Sequence, residues 1–335
     1  MQIAVVGAGS WGTALAWLLG HKGLTVWLWG RNPAHMQQLA AARINRRYLP
    51  DALLPDTVYP THEIAPLRAC PVWVLAVPSG ALREVLALAP PPEAILVIAA
   101  KGLEPSSGKL LTQVVSEVIP HTEARTAVLS GPNLAVELVR GAPTATVAAS
   151  RSVACAEQVQ ELFMTPPLLR VYTNDDVVGV ELGGALKNVY AIGAGISDGM
   201  GFGDNTKAAL LTRGLAEMMR LGAALGARPE TFIGLTGVGD LFATAVSVLS
   251  RNYRLGKAIA QGKTAEQALA ELGQVAEGYP TALVAQSLAA QLGVEMPLLN
   301  AIASILRGER SILNALESLM ARPPKGEREF EVRLI

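Results

Sequence analysis

Hydrophobic positions in the first half of the chain fall in short runs rich in β-branched residues, and these runs alternate with segments of helical spacing. The runs predict strands at 3–6, 24–29, 72–77, 95–99, 126–129, 144–149 and 168–171. Helices are predicted between them at 14–21, 81–88 and 110–119. Because apolar strands that alternate with helices are typical of a mostly parallel sheet covered on both faces, the first half is predicted to be an α/β domain.

The pattern changes near residue 175, where the strand signal stops. The second half is rich in Ala, Leu and Gly at helical spacing and predicts helices at 177–194, 206–225, 255–261, 265–272, 281–292, 296–306 and 311–320. This shift predicts two domains, an α/β domain over 1–180 and an all-helical domain over 181–335. The final segment, 322–335, contains Pro, Gly and charges of both signs, a composition typical of a frayed end.

The amino-acid composition excludes several classes of protein and of binding site. The chain has 335 residues, of which 50% are hydrophobic and 17% charged, and this balance excludes a disordered protein. Lys and Arg (28) balance Asp and Glu (28) without runs of like charge, so we expect no nucleic-acid partner. The two cysteines, Cys70 and Cys155, are too few for a disulfide framework or a structural zinc site, and the histidines lack metal-ligand spacing. We therefore expect a cytoplasmic protein with metal-free organic chemistry.

The first twenty residues contain no charged side chain, and hydropathy alone would assign them to a membrane or signal segment. However, no basic region precedes them, and glycines at 7, 9 and 12 interrupt the apolar run. No other stretch forms an uninterrupted apolar span of about 20 residues. We therefore expect no membrane insertion.

A glycine-rich turn lies inside that same segment. Residues 5–12 read Val-Val-Gly-Ala-Gly-Ser-Trp-Gly, which is the GxGxxG pattern directly after a strand and at the start of a helix. Gly7 permits a tight turn, Gly9 lets the backbone approach a pyrophosphate, and Gly12 lets the helix pack closely against the strand. Because the helix N-terminus also presents free N–H groups to phosphates, the pattern predicts a Rossmann-like dinucleotide-binding domain. The alternative is a glycine-rich turn that binds no ligand.

The end of the second predicted strand bears on the choice of dinucleotide. Sites specific for NAD usually place Asp or Glu there to hold the ribose 2′-hydroxyl, whereas this chain has Trp29-Gly30-Arg31-Asn32. No carboxylate is present to repel a 2′-phosphate, and Arg31 is able to pair with one. We therefore expect NADP(H) to be accepted. The alternative is that Arg31 is a solvated loop cation.

A lysine in the helical half is a candidate for proton transfer. Lys187 is the only formally charged residue between Leu182 and Ser197, and it shares a helical face with Gly184, Asn188 and other small or neutral residues. Burial in such surroundings lowers the pKa of a lysine and suits it to acid–base chemistry. The alternative is a lysine that extends its charge to solvent along an amphipathic helix.

Further along the chain, two turns carry groups suited to an anionic substrate. Arg251 is able to grip a phosphate through two parallel hydrogen bonds, and Ser250 and Asn252 beside it add neutral donors. Asp240, in a turn bounded by glycine, is able to orient an ammonium or a substrate hydroxyl. The alternatives are helix caps for Asp240 and Ser250 and an ion pair for Arg251.

Together these segments resemble the bacterial NAD(P)-dependent glycerol-3-phosphate dehydrogenases. The matching stretches follow the family's order and span nearly the whole chain; they are 7–16, 77–79, 101–104, 130–133, 180–188, 205–210, 239–241, 250–252 and 275–278. Two positions depart from the usual pattern: Asn133 stands where many relatives have Ser or Thr, and 236–239 read Thr-Gly-Val-Gly in place of Ala-Gly-Leu-Gly.

The resemblance implies reduction of dihydroxyacetone phosphate to sn-glycerol 3-phosphate for glycerophospholipid synthesis, by a homodimer. It implies cofactor contacts, in addition to the glycines, at Ser10, Trp11, Arg31, Tyr48, Lys101, Ala135, Arg251, Val275 and Glu277. It implies substrate contacts at Lys101, Gly131, Asn133, Lys187, Asp240, Ser250, Arg251 and Asn252. Lys187 is the expected proton donor, with Lys101 adding positive potential and Asp240 holding Lys187 in place.

Two other readings stay open from the residues alone. One is another dehydrogenase with a Rossmann-like and a helical domain, of the 3-hydroxyacyl-CoA or 6-phosphogluconate type. Such enzymes favour a His–Glu pair or a Lys–Asn site with other flanking motifs, and no histidine follows His121 in this chain. The other is a non-enzymatic NAD(H)-sensing regulator, which would need a nucleic-acid-binding module.

Overall fold

The computed structural model describes residues 1–324, 326 and 327. The expected frayed end over 322–335 lies mostly outside these residues. Within them the strands are β1 Gln2–Val6, β2 Thr25–Trp29, β3 Ile44–Asn45, β4 Leu49–Leu53, β5 Val58–Thr61, β6 Val72–Leu75, β7 Ile95–Ile98, β8 Thr126–Ser130, β9 Thr144–Ala149 and β10 Leu169–Asn174.

Eight of the strands form one sheet in the order β10-β9-β8-β7-β6-β1-β2-β5, while β3 and β4 form a separate antiparallel hairpin. Every neighbouring pair in the large sheet is parallel except β8 and β9. The mostly parallel sheet is therefore confirmed, with one reversal. The carboxyl ends of β1, β2, β6, β7 and β8 all lie at one edge, which is where ligands bind in such sheets.

The helices of the first half are α1 Ser10–His21, α2 Pro33–Ala42, α3 Leu82–Leu86, α4 Leu111–Val118, α5 Ala135–Val139 and α6 Val153–Phe163. These helices cover both faces of the sheet. Because side chains alternate along each strand, successive residues of β1 pack on opposite faces. Ile3 and Val5 of β1 pack with Leu15 of α1, whereas Ala4 and Val6 pack in a second apolar cluster. That second cluster also contains Val180, so it extends into the helical half of the chain.

All regular secondary structure described after β10 is helical, as the sequence predicts. The helices are α7 Val177–Gly199, α8 Asp204–Ala224, α9 Pro229–Ile233, α10 Asp240–Val246, α11 Arg251–Ala260, α12 Ala265–Leu272, α13 Gly278–Gln291, α14 Pro297–Leu306 and α15 Ile312–Met320, with one turn of π-helix, Leu235–Gly239, before α10. The division into domains at 180/181 stays a prediction; β10 ends at Asn174, and α7 begins at Val177.

Helix α7 lies at the centre of this half and is buried along almost its whole length. Its backbone touches the backbone of α11, and glycines make this possible. A Cβ atom on Gly195 would lie 2.0 Å from the carbonyl oxygen of Tyr253, and one on Gly256 would lie 2.0 Å from that of Ile192. Larger residues would separate the two helices, so these glycines set the spacing between them.

The described residues contain neither a membrane-spanning helix nor a metal-binding cluster. Among the described residues, none of the helices has both the length and the apolar character needed to cross a membrane. The same residues contain no group of three or more His, Cys, Asp or Glu side chains placed to hold a metal ion. Cys70 and Cys155 are both buried free thiols.

Candidate active site

The glycine-rich turn has the geometry that its pattern predicts. Gly7 has a φ of +117°, and a Cβ atom there would lie 2.5 Å from the carbonyl oxygen of Ala76. A Cβ on Gly12 would lie 1.9 Å from the Gly7 oxygen, so only glycine lets α1 start this close to β1. At Gly9 a Cβ would meet no atom within 4 Å, so this stretch of backbone faces open space. The turn therefore fits a pyrophosphate.

Other expected cofactor residues surround this turn. The Ser10 hydroxyl, at the first residue of α1, donates to the Tyr48 carbonyl at 2.7 Å, which brings the β3–β4 hairpin against the turn. Trp11 has a buried indole N–H without a hydrogen-bond partner among the described residues, as expected of a donor that awaits a ligand. Arg31 follows β2 at the same sheet edge and is exposed.

Two lysines and an aspartate meet where the sheet edge faces the helical half. Lys187 on α7 donates from Nζ to Oδ1 of Asp240 at 2.7 Å and to the Thr244 hydroxyl at 2.5 Å. Lys101, just beyond β7, donates to Oδ2 of Asp240 at 2.6 Å and to the Gly131 carbonyl at 2.7 Å. One carboxylate, at the first turn of α10, thus holds both ammonium groups at the carboxyl edge of the sheet.

Burial and the neighbouring charges together set the pKa values of Lys187 and Asp240. Lys187 is only 6% exposed, and this burial lowers its pKa to about 8, although Asp240 opposes the shift and Lys101 adds to it. For Asp240, burial favours the neutral acid, but Lys101 and Lys187 outweigh it and keep the pKa of this carboxyl below its ordinary value. The cluster therefore holds a carboxylate beside a lysine that is able to gain or lose a proton near neutral pH.

Small and polar residues line the sheet side of the cluster. A Cβ on Gly184 of α7 would lie 2.6 Å from the Ser130 hydroxyl, so glycine permits close contact between α7 and the end of β8. The Ser130 hydroxyl is buried without a hydrogen-bond partner in the described part of the chain. Asn133 is held by β9: its amide donates to the Ala145 carbonyl at 3.2 Å and accepts from the Thr146 hydroxyl at 3.0 Å.

A chain of amides connects α7, α11 and α13. The Asn252 amide donates to Oδ1 of Asn188 at 2.8 Å and accepts from the Gly278 backbone N–H at 2.9 Å. Asn188 in turn donates to the carbonyls of Gly184, at 3.2 Å, and Lys101, at 3.4 Å. Asn252 therefore keeps one N–H for a ligand while it fixes the start of α13.

Arg251 is the first residue of α11. The hydroxyl of Ser250 caps this helix by accepting from the Tyr253 N–H at 3.2 Å, so the cap alternative for Ser250 is confirmed. Burial lowers the pKa of Arg251, and Glu277 opposes the shift. Among the described residues, none accepts a hydrogen bond from the Arg251 guanidinium, so its donors remain available to an anion.

Glu277 joins the helical half to the end of β6. Its carboxylate accepts from the Ser79 backbone N–H at 3.0 Å and from the Ser79 hydroxyl at 2.6 Å. Burial raises the pKa of Glu277, while Ser79 and Arg251 hold it down. Val275, two residues earlier, is 45% exposed, and Ala135 lies half-buried at the start of α5.

Residues 2–156 of the chain match the family model described as the N-terminus of NAD-dependent glycerol-3-phosphate dehydrogenase, and residues 176–317 match the model of the C-terminus of the same enzyme. A protein of Thioalkalivibrio sulfidiphilus named glycerol-3-phosphate dehydrogenase [NAD(P)+] is 50% identical over 97% of this chain and 98% of its own length. The chain belongs to the NAD-dependent glycerol-3-phosphate dehydrogenase family.

Other relatives agree with this membership. A glycerol-3-phosphate dehydrogenase [NAD(P)+] of Geobacillus kaustophilus is 46% identical over 98% of this chain and 96% of its own length. The crystal structure of the glycerol-3-phosphate dehydrogenase from Coxiella burnetii superposes with a TM-score of 0.91 at 37% identity, covering 96% of this chain and 99% of that one. The resemblance drawn from the motifs is therefore confirmed, as is the α/β-plus-helical fold class.

Some residues of the site were not among the site residues predicted from the sequence. Thr244 accepts from Lys187, and its spacing of four from Asp240 on one helix was an available signal. Ser79 lies in a stretch that matches the family, but nothing in the sequence pairs it with a glutamate 198 positions away. Asn188 adjoins Lys187, and its role between α7 and α11 depends on contacts that only the folded chain brings together.

Proposed function

We propose that this member of the glycerol-3-phosphate dehydrogenase family reduces dihydroxyacetone phosphate to sn-glycerol 3-phosphate with NADPH or NADH, and catalyses the reverse reaction. The observation that carries the proposal is the buried Lys187–Asp240–Lys101 cluster at the carboxyl edge of the sheet. The glycine turn with open space at Gly9 and the unpartnered Trp11 N–H support dinucleotide binding at the same edge.

Lys187 is the proposed general acid. When bound, the nicotinamide supplies the hydride, and negative charge develops on the carbonyl oxygen of the substrate. Lys187 donates a proton to that oxygen and takes it back in the reverse direction, for which a pKa of about 8 is well matched. Asp240 and Thr244 orient its ammonium group, and Lys101 adds a second positive charge that stabilises the developing alkoxide.

Arg251 is the proposed phosphate ligand. Arg251 is a mostly buried cation, and none of the described residues accepts a hydrogen bond from its guanidinium. Asn252, with its remaining N–H, and the Ser250 hydroxyl add neutral donors beside it, and Gly131 and Asn133 bound the sheet side of the pocket. Holding the phosphate at α11 positions the ketone beside Lys187. The binding energy of the phosphate is thereby used to hold the ketone in the orientation that the reaction needs.

Arg31 is the proposed selector of the cofactor. An exposed guanidinium at the end of β2, without a carboxylate there, suits a 2′-phosphate. Tyr48, Ala135, Val275, Glu277 and Arg251 are proposed as further cofactor contacts. Arg31→Asp should lower the ratio of kcat/KM for NADPH to that for NADH. An unchanged ratio would exclude Arg31 from cofactor selection.

The first experiment follows NADPH consumption with dihydroxyacetone phosphate and, separately, with unphosphorylated dihydroxyacetone. Wild-type protein should strongly prefer the phosphorylated ketone, and Arg251→Ala should lose most of that preference through an increased KM. Arg254→Ala is the matched control, because Arg254 lies on the same helix but is exposed. Absence of turnover with dihydroxyacetone phosphate from a folded, cofactor-binding protein would refute the proposed function.

We also propose that the protein is a cytoplasmic homodimer that supplies glycerophospholipid synthesis and binds no nucleic acid. Buried free thiols suit a reducing compartment, and the balanced net charge gives nucleic acid no electrostatic attraction. An exposed apolar surface around α9 and α10 is a candidate subunit interface; it consists of Ile233, Phe242, Val246, Val248 and Leu249. Light scattering of the wild type and of Val246→Asp should show a dimer and a monomer, respectively.

A further inference from the structure

The contact between Ser79 and Glu277 lies where the two halves of the chain meet. Ser79 follows β6 and begins a turn of 3-10 helix, Ser79–Ala81, while Glu277 directly precedes α13. The Glu277 carboxylate accepts from the Ser79 backbone N–H at 3.0 Å and from the Ser79 hydroxyl at 2.6 Å. Because Ser79 is only 1% exposed, both of its donors are shielded from water and bind this carboxylate instead.

The backbone that carries Lys101 packs directly against this contact. A Cβ atom on Gly102 would lie 2.9 Å from the Glu277 carboxylate and 2.9 Å from the Ser79 hydroxyl. Glycine at this position therefore leaves the room in which the two side chains meet. The contact lies beside the residue that follows Lys101, one of the two lysines that Asp240 holds.

On its other side, Glu277 is joined to the residues proposed to hold the substrate phosphate. The backbone N–H of Gly278, the next residue, donates to the Asn252 amide oxygen at 2.9 Å. A Cβ atom on Gly278 would lie 2.5 Å from the Asn188 carbonyl oxygen, so the start of α13 packs tightly against α7. The carboxylate is therefore fixed between the edge of the sheet and the proposed phosphate ligands.

The strand order indicates which part of a dinucleotide lies near Glu277. In Rossmann-like folds the pyrophosphate binds at the glycine-rich turn after the first strand, and the ribose of the adenosine binds at the end of the second. Here these are the ends of β1 and β2, and β6 lies on the opposite side of β1 from β2. The nicotinamide half is therefore expected toward β6, where a carboxylate is able to accept from its amide or hydroxyl groups.

We propose that Ser79 is a positioning residue for cofactor binding: its two donors hold the Glu277 carboxylate at the end of β6, where it accepts hydrogen bonds from the nicotinamide half of the dinucleotide. The role of Ser79 rests on the proposed function, in which Glu277 is a cofactor contact. Ser79 acts through Glu277 and not through a contact of its own with the cofactor. A purely structural contact would stabilise the two halves without changing how the cofactor binds.

The same hydrogen bonds affect the charge of Glu277. Burial raises the pKa of this carboxyl, whereas Ser79 and the opposite charge of Arg251 on α11 hold it down. Arg251 is the charged group of the described chain that acts on it. Without the Ser79 hydroxyl the pKa of Glu277 should rise further. Because the ionised form accepts through both oxygens, cofactor binding should then weaken at a higher pH on acidification.

Fluorescence titration with NADPH at a series of pH values tests the proposal. At neutral pH, Ser79→Ala should raise the Kd for NADPH by about 3–10-fold and change kcat by less than about two-fold. On acidification, its Kd should begin to rise at a higher pH than the Kd of wild type. Ser107→Ala is the matched control, because the Ser107 hydroxyl also donates to a glutamate, Glu104, in the same half of the chain. Its Kd and pH profile should match those of wild type.

Two further variants separate the charge of Glu277 from the packing around it. Glu277→Gln has a similar shape but no titratable carboxyl, so adding Ser79→Ala to it should leave the pH profile of NADPH binding unchanged. Ser79→Cys has a similar size and a weaker donor, so its Kd should lie between those of wild type and Ser79→Ala. Ser79→Cys also provides the measurement if the alanine variant does not fold.

Three results would overturn the role of Ser79. The first is a Kd and pH profile equal to those of wild type, even with a lower Tm, because the contact would then contribute only to stability. The second is a pH shift that persists when Ser79→Ala is added to Glu277→Gln. The third is an equal effect in Ser107→Ala. Failure of wild-type protein to bind NADPH would refute the proposed function as well, whereas normal turnover of wild type beside any of these three results would refute the role of Ser79 alone.

Discussion

At the scale of the residue, Lys187 shows what the local sequence alone is able to predict. A single charge among glycines and apolar residues on a helix implied burial and a lowered pKa, and both are present. The partner, Asp240, came from the family resemblance and not from the local pattern, because Asp240 is 53 positions away and its place beside Lys187 depends on how α10 packs against α7. The same carboxylate also holds Lys101, which comes from the other half of the chain.

Replacing Lys187 tests its role directly. Lys187→Ala should lower kcat for ketone reduction by about 10²–10⁴-fold with little change in cofactor affinity, because only proton donation and charge stabilisation are lost. Rates from stopped-flow absorbance and cofactor Kd from fluorescence would check this. Lys207→Ala is a suitable control, because Lys207 pairs with Asp198 outside the site. Near-normal turnover of folded Lys187→Ala would contradict the assignment.

The lowered pKa of Lys187 predicts opposite pH profiles for the two directions of the reaction. Ketone reduction needs the protonated lysine, so its kcat/KM should fall as the pH rises above about 8. Alcohol oxidation needs the neutral lysine, so its kcat/KM should rise over the same range. Steady-state rates in both directions across this range would decide, and two profiles with the same direction of change would be inconsistent with a single acid–base group.

At the scale of the element, the β3–β4 hairpin was not predicted although it supports the cofactor turn. Its strands are short, and β4 contains Pro50, which weakens a strand pattern. Asn45 in this hairpin is 1% exposed and donates to the Ala8 carbonyl at 3.0 Å and to the Thr13 hydroxyl at 2.7 Å. The hairpin therefore fixes the glycine-rich turn from outside the strand–turn–helix unit.

This contact makes Asn45 a positioning residue whose loss should affect cofactor binding more than chemistry. Asn45→Ala leaves the buried Ala8 carbonyl without its donor, and we expect the KM for NADPH to rise several-fold while kcat changes little. Asn45→Asp keeps the size of the side chain but cannot donate, so it should behave like the alanine variant. An unchanged KM in both variants would show that the turn holds its shape without Asn45.

At the scale of the whole molecule, three carboxylates connect the two halves of the chain. Asp240 reaches Lys101, Glu277 reaches Ser79, and Glu181 on α7 accepts from the backbone N–H of Thr112, at 3.0 Å, and from its hydroxyl. Thr112 lies in the first turn of α4, so Glu181 also satisfies a free N–H of that helix. Each connection places a buried or partly buried acid between the α/β half and the helical half.

Glu181 should make stability depend on pH. Burial raises its pKa to about 7, so between its ordinary pKa and about 7 the folded chain holds a proton that the unfolded chain has lost. Stability should therefore fall as the pH rises through this window. Relative to wild type, Glu181→Gln should gain up to about 3 kcal/mol in unfolding free energy across the same window. Denaturant unfolding at several pH values would measure it.

An exposed glutamate provides the comparison for that measurement. Glu84→Gln on α3 should retain the pH dependence of the wild type, because the substituted side chain is exposed. If Glu181→Gln also retains it, the buried carboxyl does not control the stability of the contact between α4 and α7.

The sequence predicted the regular part of the molecule and missed what depends on distant contacts. All seven expected strands are present, because buried strands produce uninterrupted apolar runs. The missed β5 contains Pro60 at the sheet edge, and the missed α2 begins with an Asn32 cap followed by Pro33, a signal that was available. The reversal between β8 and β9 leaves no mark on a hydrophobic pattern, because parallel and antiparallel core strands are equally apolar.

The contact between α7 and α11 limits how this pocket could be redesigned. Because main-chain atoms touch at Gly195 and Gly256, no side chains separate the helix that carries the proposed proton donor from the helix that carries the proposed anion ligand. Their separation is therefore set by atomic radii, and trimming side chains along that seam cannot lengthen it. A variant meant to accept a longer phosphorylated ketone would have to gain room on the opposite wall, where Ser130 and Asn133 project from the sheet.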